Sequence, residues 1–132
     1  MAVRVVRLGT PRAPGEGLRL GTVRRPPRGV KKADFARRDY YDEWLPVLSP
    51  SPALVSSAQS KDWTDARWAK FERGYRAEMS RPVPKQLIAF LAQMSRHVNF
   101  SIGCYCERPE RCHRSLLKAL LEEEGARIGH SS

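Results

Sequence analysis

Residues 98–124 read Val-Asn-Phe-Ser-Ile-Gly-Cys-Tyr-Cys-Glu-Arg-Pro-Glu-Arg-Cys-His-Arg-Ser-Leu-Leu-Lys-Ala-Leu-Leu-Glu-Glu-Glu, and their hydrophobic period changes midway. From Val98 to Cys106 the period is two. Val98, Phe100, Ile102, Cys104 and Cys106 alternate with Asn99, Ser101, Gly103 and Tyr105, which predicts a strand with the first set on one face. From Cys112 to Glu124 the period is helical, with Leu116, Leu117, Leu120 and Leu121 as an inner stripe and Gly125 as a stop. A turn around Pro109 joins the two. A strand feeding a helix is the building unit of α/β proteins, whose open sheets take ligands outside the carboxyl ends of their strands.

Working outward, Ala2–Leu8 and Leu18–Val23 read as two further strands, Leu18 and Leu20 facing opposite to Arg19. Gly9–Gly17 reads as an exposed loop, and Arg24–Gly29, with two prolines, as a stiff loop holding three guanidinium groups. Lys31–Arg38 suits a short helical turn. Tyr40–Val47 is ambiguous, because Pro46 forbids a central strand there. Ser49–Ser60 reads as a loop with a possible helical turn near Leu54. Thr64–Met79 predicts an amphipathic helix from Trp68, Phe71, Tyr75 and Met79, capped by Asp62 or Thr64. Pro84–Arg96 predicts a second helix, with Pro84 at its first position. The expected fold is a small single α/β domain over residues 1–132. Its sheet is mostly parallel and flanked by helices, and residues 1–2 and 126–132 are flexible ends.

The 132-residue chain carries a formal charge of +10, and almost all of it is N-terminal. Residues 1–38 hold eleven Lys or Arg against the two acids Glu16 and Asp34. Such a field attracts polyanions or phosphorylated small molecules. No apolar run approaches membrane-spanning length and no signal-peptide core opens the chain, so a cytoplasmic protein without membrane contact is expected. Three cysteines, an odd number, make no disulfide framework.

All three cysteines fall between Cys104 and Cys112, with His113 and Arg114 directly after. Period two places Cys104 and Cys106 on one face, about 6.6–7 Å apart along the strand, their Cβ vectors parallel and awkward for a disulfide. Cys112 at a helix start lies where free N–H groups favour a thiolate. His113 is a candidate acid or base. Arg111 and Arg114 can grip a phosphate or carboxylate, and Glu107 and Glu110 offer carboxylates. If the Arg24–Gly29 loop leaves the sheet on the same side, Arg24, Arg25 and Arg28 join that crevice. Cys104, following Val98, Phe100 and Ile102, reads mainly as core packing. His97, His130 and the three tryptophans read as surface, core or interface residues. Zinc is a rival reading, since three cysteines and a histidine within ten positions resemble a Cys₃His set. Against it, the spacing is not that of the common fingers, and neighbours on a helix, Cys112 and His113, converge poorly on one ion.

The segment Cys104-Tyr105-Cys106-Glu107 through Cys112-His113-Arg114, with its leucine-rich helix, resembles a bacterial and archaeal domain-of-unknown-function family that includes the YeaO-like proteins. Arg24–Lys32, Asp42-Glu43-Trp44-Leu45, Leu48-Ser49-Pro50-Ser51 and the Trp68–Glu78 helix resemble further signatures of that family in the same order, so the likeness spans about residues 3–125. The resemblance implies a small α/β fold and brings no settled activity. The acid and tryptophan that usually precede the Pro-Arg-Gly signature are absent here, where Val23-Arg24-Arg25-Pro26 stands. YeaO-like members often carry Asn-His-Ala at the Cys112-His113-Arg114 positions, which leaves His113 as the shared residue.

The resulting expectation is an anion-binding crevice with His113, Cys112 and Cys106 as catalytic candidates and Arg24, Arg25, Arg28, Arg111 and Arg114 as anion-binding candidates. The ligand would be a phosphorylated small molecule or nucleotide, with no cofactor and no metal. The alternatives are a nucleic-acid-binding module using the basic N-terminal third, and a structural zinc protein.

Overall fold

A computed structural model of the chain describes residues 1–59, 63–106 and 111–129. The expected turn around Pro109 with Glu107 and Glu110, the Asp62 cap and His130 lie outside the described residues.

Four parallel strands form one sheet: β1 (Val3–Arg7), β2 (Leu18–Gly21), β3 (Glu43–Trp44) and β4 (Phe100–Cys104), in the order β1-β4-β2-β3. The α/β class and the parallel sheet expected from the sequence are therefore present. β4 lies between β1 and β2, and all five of its residues are buried. This explains why it begins at Phe100 rather than Val98, which is 44% exposed and precedes the paired register. The strand also ends earlier than its alternation predicted, at Cys104, so Cys106 stands beyond the ladder. β3 has only two residues, in keeping with Pro46 directly downstream.

The helices are α1 (Pro52–Gln59), α2 (Asp65–Met79), α3 (Pro82–Met94) and α4 (His113–Glu123). Phe100 and Ile102 of β4 join Leu20, Phe71, Tyr75, Ile88, Leu91, Leu117 and Leu121 in one core between sheet and helices. Each large side chain buried there contributes roughly 1.5–3 kcal/mol before entropy is set against it. Thr64 caps α2, its hydroxyl accepting the Arg67 N–H at 3.1 Å. Pro82, not Pro84, opens α3; Pro84 lies inside the first turn and is buried. Within the stretch read as a loop, Pro52–Gln59 forms a helix of eight residues, longer than the single turn expected near Leu54. Its start is held by the Ser51 hydroxyl, which accepts from Leu54 N–H at 3.2 Å, and by Glu78, which accepts from Ser51 N–H at 2.8 Å. Gly74 lets α1 approach α2: a Cβ there would lie 2.9 Å from Leu54 Cδ1.

The opposite face of the sheet is polar and carries a buried ion pair. Leu18 is exposed while Arg19 is fully buried, its Nε donating to Glu16 Oε2 at 2.8 Å and Nη2 to Glu16 Oε1 at 3.1 Å. Arg19 Nη1 also donates to the Thr10 and Asp39 carbonyls, each at 2.7 Å, and Ser101 of β4 donates to Glu16 at 2.6 Å. The loop read as exposed thus carries a buried carboxylate into the fold. Burial works to raise the Glu16 pKa, but hydrogen bonds from Arg19, Ser101 and the Ala13 N–H outweigh it and hold it at about 2. Residues 126–129, read from the sequence as the start of a loose end, run beside β1. Val3 N–H donates to Arg127, Gly129 N–H donates to Val3, and Ile128 bridges Val3 in parallel.

Candidate active site at the strand ends

In a parallel sheet every strand delivers its carboxyl end to one edge, so the segments after β2 and β4 meet there. Thr22, just past β2, donates from both its N–H and its hydroxyl to the Gly103 carbonyl of β4, each at 3.0 Å. Beyond it, Val23 packs with Leu8, Tyr41, Cys104 and Cys112 in a second, smaller apolar cluster. The Tyr105 hydroxyl donates to the Arg25 carbonyl at 3.0 Å. The arginine loop and the cysteine segment therefore share one edge of the sheet.

The thiols converge. The sulfurs of Cys104, Cys106 and Cys112 all lie within 4.8 Å of one another, with Cys104 and Cys112 buried and Cys106 exposed. The strand spacing of Cys104 and Cys106 does not persist to the sulfurs because the chain bends at Tyr105. Cys104 Sγ and Cys112 Sγ are 2.7 Å apart. Cys112 is the N-cap of α4 with extended backbone, φ −137° and ψ 150°, so its side chain leaves the helix axis and turns toward Cys104.

Three thiols this close cannot all ionise, and environment decides which does. Cys106 accepts hydrogen bonds from Cys104 and Cys112, with the Arg114 charge also favouring the anion, and its pKa falls to about 3 despite the cost of burial. Donating to Cys106 keeps Cys104 protonated, with its pKa raised to about 12. Cys112 is likewise held as a thiol by its hydrogen bonds to Cys104 and Cys106 and by burial. The surroundings thus favour ionisation at the exposed Cys106 and protonation of the two buried thiols.

His113 is 8% exposed, with its ring 5.8 Å from that of Tyr75. Its Nε2 lies 2.6 Å from the Thr22 carbonyl oxygen, an acceptor only, so Nε2 carries the proton in the neutral ring. Nδ1 then presents a lone pair 3.8 Å from Cys112 Sγ. Burial lowers the His113 pKa, which favours this neutral form.

The arginine candidates are dispersed. Arg24 turns away to the Pro50 carbonyl at 3.3 Å. Arg25 and Arg28 are exposed on the loop. Arg111 donates to Asp65 at 2.8 Å and stacks over Trp68. Arg114 is buried, donating from Nη1 to the Val6 carbonyl at 2.9 Å. Cys106, Cys112 and His113 are thus brought together, whereas the five arginines form no single grip. Cys104 and Thr22 are members of the site that the residue pattern did not single out as functional. Cys104 was legible only as core, and a backbone carbonyl such as that of Thr22 leaves no mark in a sequence.

Fold and site define a class: a small parallel α/β protein with a thiol cluster and a neutral histidine at the strand ends. The chain belongs to the DUF488 domain-of-unknown-function family, in the branch described as the active DUF488-N3 subclade, whose family model matches residues 3–125. The resemblance to the family of YeaO-like proteins read from the sequence is borne out at that level. No curated protein and no solved structure matches the chain. Among the described residues, no helix is long and apolar enough to cross a membrane.

Proposed function

We propose that the protein is a thiol-dependent enzyme acting on an anionic small molecule of phosphorylated or nucleotide type, with Cys106 as its nucleophile. The observation that carries this reading is the exposed Cys106 sulfur held within 4.8 Å of two buried thiols. An ionised sulfur is the reactive form of cysteine. In the proposed step the Cys106 sulfur bonds to the electrophilic atom of the ligand while the bond to the leaving group breaks. The leaving group departs with the electron pair and takes a proton from solvent. Water then hydrolyses the thio-adduct and regenerates the thiolate. Cys104 and Cys112 stabilise the anion as donors, His113 fixes the Thr22 and Cys112 segments relative to each other, and the exposed Arg28 attracts the ligand. The test is turnover of a panel of phosphorylated sugars and nucleotides by the wild-type protein and Cys106→Ser, with mass spectrometry of a trapped adduct. Turnover abolished in Cys106→Ser, with an adduct on Cys106, is the expected result. Turnover retained in that variant would refute it.

The arrangement of His113 favours a second reading, a Cys₃His zinc site. A metal-binding histidine commonly donates its other ring N–H to a backbone carbonyl, as His113 Nε2 does to Thr22. Cys112 and His113 converge after all, because Cys112 stands outside the helix. Thiolates sharing a tetrahedral zinc lie about 3.8 Å apart, from a Zn–S bond of about 2.3 Å. The 2.7 Å between Cys104 and Cys112 would have to open by about 1 Å to admit the ion. Metal analysis of protein prepared with zinc decides this. Stoichiometric zinc lost in Cys112→Ser supports a metal centre, and zinc-free protein with a fully alkylatable Cys106 excludes it.

A further inference from the structure

A cavity of about 210 Å³ opens on the polar face of the sheet beside β1, and its walls include Arg4, Arg7, Glu16, Arg19 and Arg114. No cysteine lines it. Its charges do not cancel. Arg19 and Glu16 satisfy each other, so they leave the cavity nearly neutral on that side. Arg114 is 4% exposed, yet its Nε has no hydrogen-bond partner, and no carboxylate pairs with its guanidinium among the described residues. Arg4 on β1 is half-buried and also has no carboxylate partner among the described residues.

Burying a guanidinium without an anion is costly, and a half-satisfied one is costlier than a paired one. The fold bears that cost at Arg114, where the side chain is held in place by a single carbonyl, that of Val6. Arg114 lines the cavity, and a guanidinium offers donors suited to a planar, charge-assisted contact with an oxyanion. The cavity is smaller than the roughly 300–1,000 Å³ of sites that enclose a whole drug-sized ligand, so it suits one anionic group rather than a chain of them.

We propose that this cavity is an anion site taking a phosphate-sized dianion, either free phosphate or the terminal phosphate of a small molecule, between Arg4 and Arg114. The site is distinct from the thiol cluster and does not depend on the reaction proposed for Cys106. Arg114 nonetheless follows Cys112 and His113 directly in sequence, so an anion seated there would lie close to that cluster.

Calorimetric titration with inorganic phosphate tests the site, using wild-type protein, Arg4→Gln, Arg114→Lys and the loop control Arg25→Gln. Saturable binding is expected, weakened at least tenfold in Arg4→Gln and in Arg114→Lys, and unchanged in Arg25→Gln. Ribose 5-phosphate in place of phosphate separates the two sources: binding at least as tight identifies a terminal phosphate as the ligand, and exclusion identifies the free ion. Circular dichroism and a melting curve establish that each variant folds. If Arg114→Lys does not, the half-buried Arg4→Gln decides. Cys106→Ser should bind phosphate undiminished, so failure of the thiol mechanism leaves this test intact. Absence of saturable binding, equal affinity in Arg4→Gln, or loss of binding in Arg25→Gln alone would overturn the proposal.

Discussion

Cys106 is exposed with a lowered pKa whereas Cys112 is buried with a raised one, so the two should differ in reactivity. The predicted alkylation profile follows. Iodoacetamide should label Cys106 at a nearly constant rate from pH 8 down to about pH 4, since its thiolate is lost only near pH 3. An ordinary thiol, with its pKa near 8.5, slows about tenfold per pH unit below that value. Peptide mapping should find Cys104 and Cys112 unlabelled while the fold is intact. Cys112→Ser weakens the support for the thiolate and should raise the Cys106 pKa from about 3, so the fall in labelling rate should begin at a higher pH, by one pH unit for each pKa unit lost. At this scale the sequence was informative about residue types and less so about roles. His113 stood out as a shared residue and is in the site. Its protonation pattern, however, depends on the Thr22 carbonyl, 91 residues away in the chain. Cys104 read as packing because its alternation with Phe100 and Ile102 is that of a core strand. It is indeed buried, and it is also a donor to the site.

The elements show where local signals suffice. α2 was legible because its apolar stripe and its cap both lie within one helix. Thr64→Ala should cost about 1 kcal/mol in urea unfolding, the usual worth of such a cap. α1 was not legible as a helix, since a segment rich in Ser, Pro and Ala shows no apolar stripe. Its start is secured instead by Glu78, from a different helix. The entry to β2 depends on Gly17, whose φ is +82° and whose missing Cβ would fall 2.0 Å from the Asn99 carbonyl oxygen. Gly17→Ala therefore combines a strained backbone with a clash against backbone that cannot rotate away. It should destabilise by about 2–4 kcal/mol, well beyond a mid-strand glycine substitution, as measured by chemical denaturation. β4 was the easiest strand to read, but its ends were not, because termination is set by where β1 and β2 stop pairing with it.

The whole molecule is a sheet with an apolar face under the helices and a charged face under a loop, and only the first was visible in advance. Hydrophobic alternation reports burial of apolar residues. A buried ion pair such as Glu16–Arg19 has the same sequence signature as a solvated one. Glu16→Gln leaves Arg19 buried with less than its full compensation and should cost about 3–5 kcal/mol at neutral pH. Acid should act in two stages. His113 has its pKa lowered by the fold, so its contribution is complete above the ordinary value of 6.5 and declines as pH falls below it. Glu16 is depressed from 4.5 to about 2, so its contribution is complete above pH 4.5 and is lost as pH falls through that interval. Melting temperature measured from pH 8 to pH 2 should therefore fall across both intervals, and Glu16→Gln should diminish the lower fall, which Asp42 and Cys106, each also held below its ordinary value, share. The bridge from Val3 to Ile128 has a further consequence. β1 would otherwise present a five-residue row of open donors and acceptors, and the opposite margin of the sheet, β3, is only two residues long. The returning chain at residues 127–129 pairs with Val3 at the start of β1, which shortens the open template on that side. Truncation before Arg127 would lengthen that template and should make the protein prone to self-association through strand addition, detectable by light scattering.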